Sequence, residues 1–544
     1  MAASPGDGTP IRFQLAHGEA RKAIPPVSLR IPKASATGAA PRLSRAAPMI
    51  CAVILFGVQA FVAASKDSQT WDEAYAIAAG FRNTSRGDFS MVPENPPLLG
   101  LLVSLPLKLA GARLPEDSVA SAVQYGRVFL YGCGNDHHRL LLVSRCAVIA
   151  AGLAAVAATV GWAGAVWGMR GAWCAAALCA SEPNWLAHGH LVAWDGLATA
   201  TITLAVVGLA WMMANPRPRR ALGAGVLMGV ALAAKHTALI LLPLAVMCVA
   251  WASFRGKGTG GISRGLVLAG LLFAGAILAV GASYNLRFRY DLYADSIGAI
   301  YRMNQPGYQN YLLGSFSDRP FFAYYFVALA VKTPCAFLPL LVLGALASVR
   351  SRRAEILPAA TLAMLLFGAA MFNRYNIGIR HITPVIPSLI VLASGAVTMG
   401  RTRYRAAAPL ILAALMVVET GARAPQYLPF FNVAAGGPAR GIRILDESNV
   451  DWGQDLERLA SLMQQEGNPE IGLIYYGSAD PAAYGIRHTP ILFKELREPV
   501  SGRFYAISAH IHNRLVRLEG EKAGWLRHTK PWRIAGASIY VYRF

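Results

Sequence analysis

The stretch MICAVILFGVQAFVAASKDSQTWDEAY, residues 49–75, sets a long apolar run directly against a polar segment that carries two adjacent carboxylates, Asp72 and Glu73. The run Met49–Ala64 is preceded by residues 1–46, rich in Ala, Pro, Gly, Ser and Arg, with Asp7 and Glu19 as their only acids. Such a leader is too long for the charged head of a cleavable signal, so it reads as a disordered basic cytoplasmic segment and Met49–Ala64 as an anchor that stays in the membrane. Two carboxylates at the mouth of a span are costly to hold there unless something uses them.

The whole chain has the same character as that run. Of its 544 residues 55% are hydrophobic and 15% charged, where soluble domains carry about 25% charged residues. A helix crossing ~30 Å of hydrocarbon needs about 20 largely apolar residues. The apolar stretches near 47–64, 140–167, 171–187, 192–213, 221–234, 237–253, 265–283, 321–347, 356–372, 382–399 and 406–423 fit that need, two of them (221–234 and 237–253) being short. The expected fold is a polytopic α-helical bundle of about eleven spans, within a range of about ten to thirteen, over residues 47–424. It would have a large first outer loop, 65–139, and a small α/β domain, 425–544.

The formal charge is +22, yet the basic residues sit in short clusters between apolar runs rather than on one stripe, which excludes a nucleic-acid surface. NPRPRR (215–220), FRGKGTGGISR (254–264), SVRSRR (348–353) and GRTRYR (400–405) each hold three Lys or Arg and no acid. The positive-inside rule puts these loops and the leader in the cytoplasm. The predicted location is the inner (cytoplasmic) membrane, with the N-terminus cytoplasmic and the C-terminal domain outside. Of seven cysteines only Cys133 falls in a loop, so no disulfide framework is expected.

On this topology Asp72-Glu73, AHGHLVAWD (187–195), Lys235-His236, YRMNQPGYQNY (301–311) and NIGIRH (376–381) all emerge on the outer face, which suggests one shared site. The first outer loop adds PENPPL, with Asn95 in a proline-rich turn, followed by an apolar stretch, Leu98–Ala110, that is short for a span and reads as interfacial or re-entrant. Neighbouring residues on a helix point about 100° apart, so Asp72 and Glu73 have different tasks, one facing a cleft and the other pairing with a base or serving the helix start, with Thr70 as a cap. Simple capping acids are the bland alternative. His188 and His190 diverge on a helix but could chelate a divalent cation such as Zn²⁺ or Mn²⁺ from an extended turn, with Asp72 or Glu73. Asp195 is a cap or a cleft residue. Arg380 and His381 lie at the depth of a lipid phosphate, where Arg offers a bidentate fork, or they snorkel to headgroups. Lys332, well inside a span, must face the interior and meet an anion. Tyr75, Tyr301, Tyr308, Tyr311, Tyr324 and Tyr325 supply aromatic walls.

A carboxylate, cations at headgroup depth and aromatic walls suit transfer of a sugar from a lipid-linked phosphate. Displacing a lipid phosphate from an anomeric carbon needs a base for the acceptor's proton and positive charge where the leaving phosphate gathers negative charge. The phosphate is a good leaving group, so no second carboxyl is required as an acid.

The motifs DEAYAIAAG, GDF, PENPPL, PNWLAHGHLVAWD, AKHTALILLP, YYFVALAVKTP, NIGIRHITPVIP, DESNVDWGQDLERL, YYGSADPAAYG and ASIYVY follow one another in an order that resembles the phospholipid-carrier-dependent glycosyltransferases. These GT-C-type membrane enzymes include dolichyl-phosphate-mannose protein mannosyltransferases and lipid A aminoarabinose transferases. The resemblance implies an inverting transferase that moves a sugar from a polyprenyl phosphate to an acceptor hydroxyl, on protein, lipid or glycan, at the outer (periplasmic) face. It makes Asp72 the base with Glu73 beside it, carries a further acidic position to Asp195, and gives the donor phosphate to Arg380 and His381, then Lys332, with Lys235 and His236 on the same face. Tyr75, Asn95, His188, His190, Tyr301, Tyr324 and Tyr325 would line the cleft. The sequence departs from the family with PEN for the commoner PEH, which removes a His and weakens the metal reading, and with VAWD for TTD. Rival classes are a transporter or flippase, against which stands the lack of an internal repeat, and a membrane scaffold, which would leave Asp72, Lys332 and Arg380 idle.

In the tail, VDWGQDLERLASLMQQEG reads as an amphipathic helix, and EIGLIYYG, RFYAISA and ASIYVYRF as strands. Asp446, Asp451 and Asp455 read as helix caps in preference to catalytic groups.

Overall fold

The computed structural model describes residues 41–116, 121–254, 260–303, 307–400 and 403–544. The leader expected over 1–46 lies almost wholly outside them. Every one of the eleven apolar stretches is helical, and seven described helices are long and apolar enough to cross a membrane, or eight if the bent pair Tyr324–Lys332 and Phe337–Ser351 is one span. The count falls short of eleven for identifiable reasons. Pro218–Ala234 has 17 residues and opens on Arg219 and Arg220, and the apolar part of the last helix is Ala407–Gly421. The stretches 140–167 and 171–187 merge into His137–Ala180, whose 44 residues would run about 66 Å if straight. They do not run straight. Gly168 (φ 76°, ψ −171°) interrupts the helix, and a Cβ on Gly164 would touch Ala172 Cβ at 3.3 Å, so the chain doubles back there. Only glycine takes that backbone conformation without strain.

The pair Tyr324–Lys332 and Phe337–Ser351 bends by 110° across Thr333–Ala336, where the single apolar run 321–347 predicted one straight span. Pro334 cannot donate a helical hydrogen bond, and Asn432 fills the gap by donating to the Ala330 and Thr333 carbonyls at 2.7 and 2.9 Å. Leu98–Leu109 forms the short helix expected; it buries Leu99, Val103 and Leu107 and leaves Leu105 and Leu109 exposed.

Strands β1 (Asn310–Leu312) and β2 (Ser315–Ser317) form an antiparallel pair, and the tail carries a five-stranded sheet in the order β4-β3-β5-β7-β6, where β3 is Ile471–Ile474, β4 His488–Pro490, β5 Phe504–Ser508, β6 Arg533–Ala535 and β7 Ile539–Arg543. β3 pairs in parallel with β4 and β5, while β7 is antiparallel to both β5 and β6. Alternation along β5 sends Phe504 and Ala506 to one core, shared with Leu456, Leu459, Leu462 and Met463 of the helix Leu456–Gln465, and Tyr505 and Ile507 to another, with Trp525 and Tyr542. The predicted helix and three strands are present; β4 and β6 have three residues each, too short to show as a pattern.

The tail after residue 425 is hydrogen-bonded to the segment that follows the first long helix. Trp71 N–H donates to the Trp452 carbonyl (2.9 Å), Ser68 N–H to that of Gln454 (3.0 Å), and Gln69 N–H to Tyr484 Oη (3.0 Å). The described residues, from Pro41 to Phe544, belong to one compact unit. The segment that links the last apolar helix to the sheet is laced into residues 68–71 after the first long helix, and it brings its own side chains to the candidate site.

Candidate active site

The sequence DE at 72–73 starts the helix Glu73–Arg86, and the two carboxylates part company as their spacing requires. Glu73 turns inward to Arg145, accepting from Nε at 2.8 Å and from Nη2 at 2.6 Å, and also from Thr70 Oγ1 and the Thr70 and Val192 backbone N–H groups. Thr70 is therefore a donor to Glu73 rather than the helix cap. Arg145 spends its remaining donors on the carbonyls of Ala64, Asp67 and Ser68. Burial works to raise the Glu73 pKa, but the Arg145 charge and these hydrogen bonds hold it below the ordinary glutamate value. This fully satisfied pair fastens the first span to the loop; Glu73 is not in the cleft.

Asp72 faces the other way, into a polar cluster assembled from five separated parts of the chain. Its Oδ2 is 3.2 Å from Arg380 Nη1, and its Oδ1 accepts from Tyr75 Oη at 2.9 Å. Arg380 Nη1 also lies 3.6 Å from Asp195 Oδ2, and Asp195 Oδ1 takes a 2.5 Å hydrogen bond from Lys235 Nζ. Asp195 sits in the first turn of Trp194–Ala214 and makes no cap; its carboxylate is given to Lys235 and Arg380 instead. Glu447 approaches Arg380 Nη2 at 3.9 Å, and the Arg380 guanidinium lies over the Trp452 ring, 4.4 Å from its centre. Burial raises the Asp72 pKa above the ordinary aspartate value; Arg380 and the Tyr75 hydroxyl oppose the shift, and Asp195 and Glu447 add to it. Glu94, in the PEN turn beside Asn95, is likewise raised, by burial first and by Asp72 second.

Local sequence explains the placement of Arg380. A Cβ at Gly378 would collide with Ser448 Oγ, so the glycine of GIRH admits the DESN turn, and Ile379 N–H donates to Asn449 Oδ1 at 3.0 Å. The two motifs lock together and set Arg380 over Trp452. His381 Nδ1 meets Tyr325 Oη at 3.2 Å and Asn373 Nδ2 at 2.9 Å. His188 packs edge-on against Trp452, with no hydrogen-bond partner on Nδ1.

Several expected site residues lie elsewhere. Lys332 does face the interior, but it donates to the Leu428 and Asn449 carbonyls (2.7 Å each) and lies 4.7 Å from the Phe431 ring centre. Besides these dipoles and the π-face it is coupled electrostatically to the buried Glu182 carboxylate, the anion its depth called for, and it tethers the tail. Tyr324 Oη accepts from Asn449 Nδ2 at 2.8 Å. His190 is held between the Leu186 carbonyl and Asp67, and His236 bonds Ser296 Oγ. Tyr301 is 80% exposed on the helix Tyr290–Met303. His188 and His190 therefore do not chelate together, and among the described residues no group of three His, Cys, Asp or Glu side chains converges as a metal site.

Glu447 and Trp452 lie in DESNVDWGQDL (446–456) but, unlike its three aspartates, are not singled out by the sequence pattern. Asp446 caps the turn Glu447–Asn449 and pairs with His510 at 2.9 Å. Asp455 holds the β6–β7 hairpin through Ala537 and Ser538 N–H and Ser538 Oγ, instead of capping its helix. A buried carboxylate and an indole in a segment leading away from the last span carry no periodic signal.

No protein-family model and no curated protein matches the chain. Among solved structures, the apo crystal structure of ArnT from Cupriavidus metallidurans aligns with a TM-score of 0.47 at 14% identity, covering 90% of this chain and 97% of that one. The chain is similar to ArnT over nearly its whole length. The same protein bound to undecaprenyl phosphate aligns equally, with 14% identity, a TM-score of 0.47 and coverages of 91% and 98%. The Archaeoglobus fulgidus oligosaccharyltransferase, in complex with Zn and sulfate, gives 12% identity and a TM-score of 0.39 over 76% of this chain and 56% of that one.

Proposed function

We propose that the protein is an inverting GT-C-type glycosyltransferase that takes a sugar from a polyprenyl phosphate and places it on an acceptor hydroxyl at the outer face of the inner membrane. The observation that carries this reading is the half-enclosed Asp72–Arg380 contact at 3.2 Å: a carboxylate of raised basicity beside a guanidinium, at the helix ends opposite the basic loops.

Asp72 takes the proton of the acceptor hydroxyl as its oxygen bonds to the anomeric carbon. The bond from that carbon to the phosphate oxygen breaks with inversion, and the charge gathering on the departing polyprenyl phosphate falls on Arg380, with Lys235 and His381 behind it. Asp195 keeps Lys235 and Arg380 in place from the opposite side. Trp71, next to Asp72 in sequence and stacked on Tyr476 at 5.1 Å, also lines an outward-opening cleft of about 670 Å³ with Gln124, Arg127, Tyr131 and Asp480, which suits an acceptor's approach. The test supplies purified protein with polyprenyl-phosphate sugars and follows donor consumption. Wild type should turn over one such donor and Asp72→Asn should lose about 10²–10⁴-fold. Equal turnover by the two removes Asp72 from the chemistry, and no turnover of any such donor removes the reading.

A further inference from the structure

Arg145 and Arg380 use the same edge of the guanidinium differently. In Arg145 the Nε–Nη2 edge is filled by both oxygens of Glu73. In Arg380, Nε is buried and has no hydrogen-bond partner among the described residues, and Nη2 lies 3.9 Å from Glu447 Oε1, beyond hydrogen-bonding range. A planar fork suited to two oxygens of a phosphate is thus left unbonded, with one guanidinium face on Trp452 and the Nη1 side taken by Asp72 and Asp195.

Glu447 is held near that edge by means unusual for a glutamate. Its backbone is left-handed (φ 58°), a conformation that a non-glycine residue keeps only when its surroundings impose it. Tyr476 Oη donates to Oε1 at 2.9 Å, and Ser448 N–H donates to Oε2. Three carboxylates, Asp72, Asp195 and Glu447, therefore surround two cations, Arg380 and Lys235. A phosphate entering this set adds further negative charge, and the Glu447 carboxylate is the only one of the three that makes no hydrogen bond to either cation.

Resting on the transferase reading above, in which Arg380 takes the donor phosphate, we propose that Glu447 is a placeholder at the Nε–Nη2 edge, a counter-ion that competes with the phosphate and gives way when it binds. The phosphate gains the two-pronged contact that Glu447 lacks, and the displaced carboxylate keeps Tyr476 as its partner. The left-handed turn that carries Glu447 is joined to the GIRH motif through Ser448 and Asn449.

The experiment measures binding of undecaprenyl phosphate, with uncharged undecaprenol as the control, to the detergent-purified full chain. Glu447→Gln keeps the size and an oxygen for Tyr476 but removes the charge; Glu447→Gly removes the side chain and suits the left-handed backbone. Both should bind undecaprenyl phosphate more tightly than wild type, on the order of tenfold, because a like charge facing the ligand is gone. Undecaprenol binding should not change. An unchanged or weaker Kd for undecaprenyl phosphate in whichever variant folds overturns the placeholder role while leaving the transferase reading standing. Equal tightening for undecaprenol also overturns it, since the gain would then not be electrostatic. Failure of wild type and both variants to bind undecaprenyl phosphate overturns the donor reading together with this one.

Discussion

Asp72 and Glu73 are neighbours in the chain, and each meets an arginine, but the two ion pairs are opposites. Glu73–Arg145 is sealed, with side chains 0% and 1% exposed, two short contacts and every arginine donor group occupied. Asp72–Arg380 is loose, with side chains 15% and 10% exposed, one contact at 3.2 Å and a guanidinium edge without a partner. A buried charge that is completely satisfied has nothing left to offer a ligand, and its removal strands its partner in a low-dielectric interior. A pair that is desolvated but incompletely bonded keeps both a basic carboxylate and free donors for a substrate. Burial alone does not separate structure from function here; the count of satisfied donors does.

The contrast is sharpest under substitution. Asp72→Asn should lower kcat/KM by about 10²–10⁴-fold while leaving the thermal unfolding temperature in detergent near that of wild type. A large fall in that temperature would place Asp72 among the structural groups. Glu73→Gln should do the reverse: it strands Arg145 and destabilises the fold by about 3–5 kcal/mol, with the activity of the remaining folded protein retained. Because the Glu73 pKa is lowered on folding, its stabilisation is complete above the unfolded value of about 4.3 and is lost as pH falls through the lower folded value. Unfolding temperatures of wild type and variant should therefore converge only in acid.

Lys332→Met is expected to act on stability alone, by about 1–3 kcal/mol, since it leaves the Leu428 and Asn449 carbonyls without a donor but removes nothing from the cleft. An increase in donor KM without a change in unfolding temperature would restore Lys332 to the phosphate site. Tyr75→Phe is the mildest. It removes a hydrogen bond worth about 0.5–1.5 kcal/mol that favours the ionised form of Asp72, so the Asp72 pKa should rise further. Wild-type kcat/KM should climb with pH through the raised Asp72 pKa, and in the variant that limb should move to higher pH. An acid limb that stays in place would mean that another group sets it.

The order of the helices, the alternation of basic and polar loops and the position of the candidate cluster at one end of the bundle were legible in the sequence, because hydropathy and charge act along the chain. The partition of Asp72 from Glu73 was legible too, in outline, from the turn angle of a helix. Helix geometry alone did not choose between them; the motif resemblance pointed to Asp72. Lys332 shows the limit: a lysine inside an apolar run must find a partner, but carbonyl oxygens, an aromatic face and a ligand phosphate leave the same trace in a sequence.

Linear pattern fixed the apolar segments and their likeness in motif to lipid-carrier transferases, since a membrane span is a local property that each segment meets for itself. Folding alone settled the doubling back at Gly168, the bend after Lys332, the union of the tail with the first outer loop and the arrival of Glu447 and Trp452 beside Arg380. Those depend on contacts between segments up to several hundred residues apart, where shape and donor–acceptor matching choose the partner and the order of residues along the chain does not.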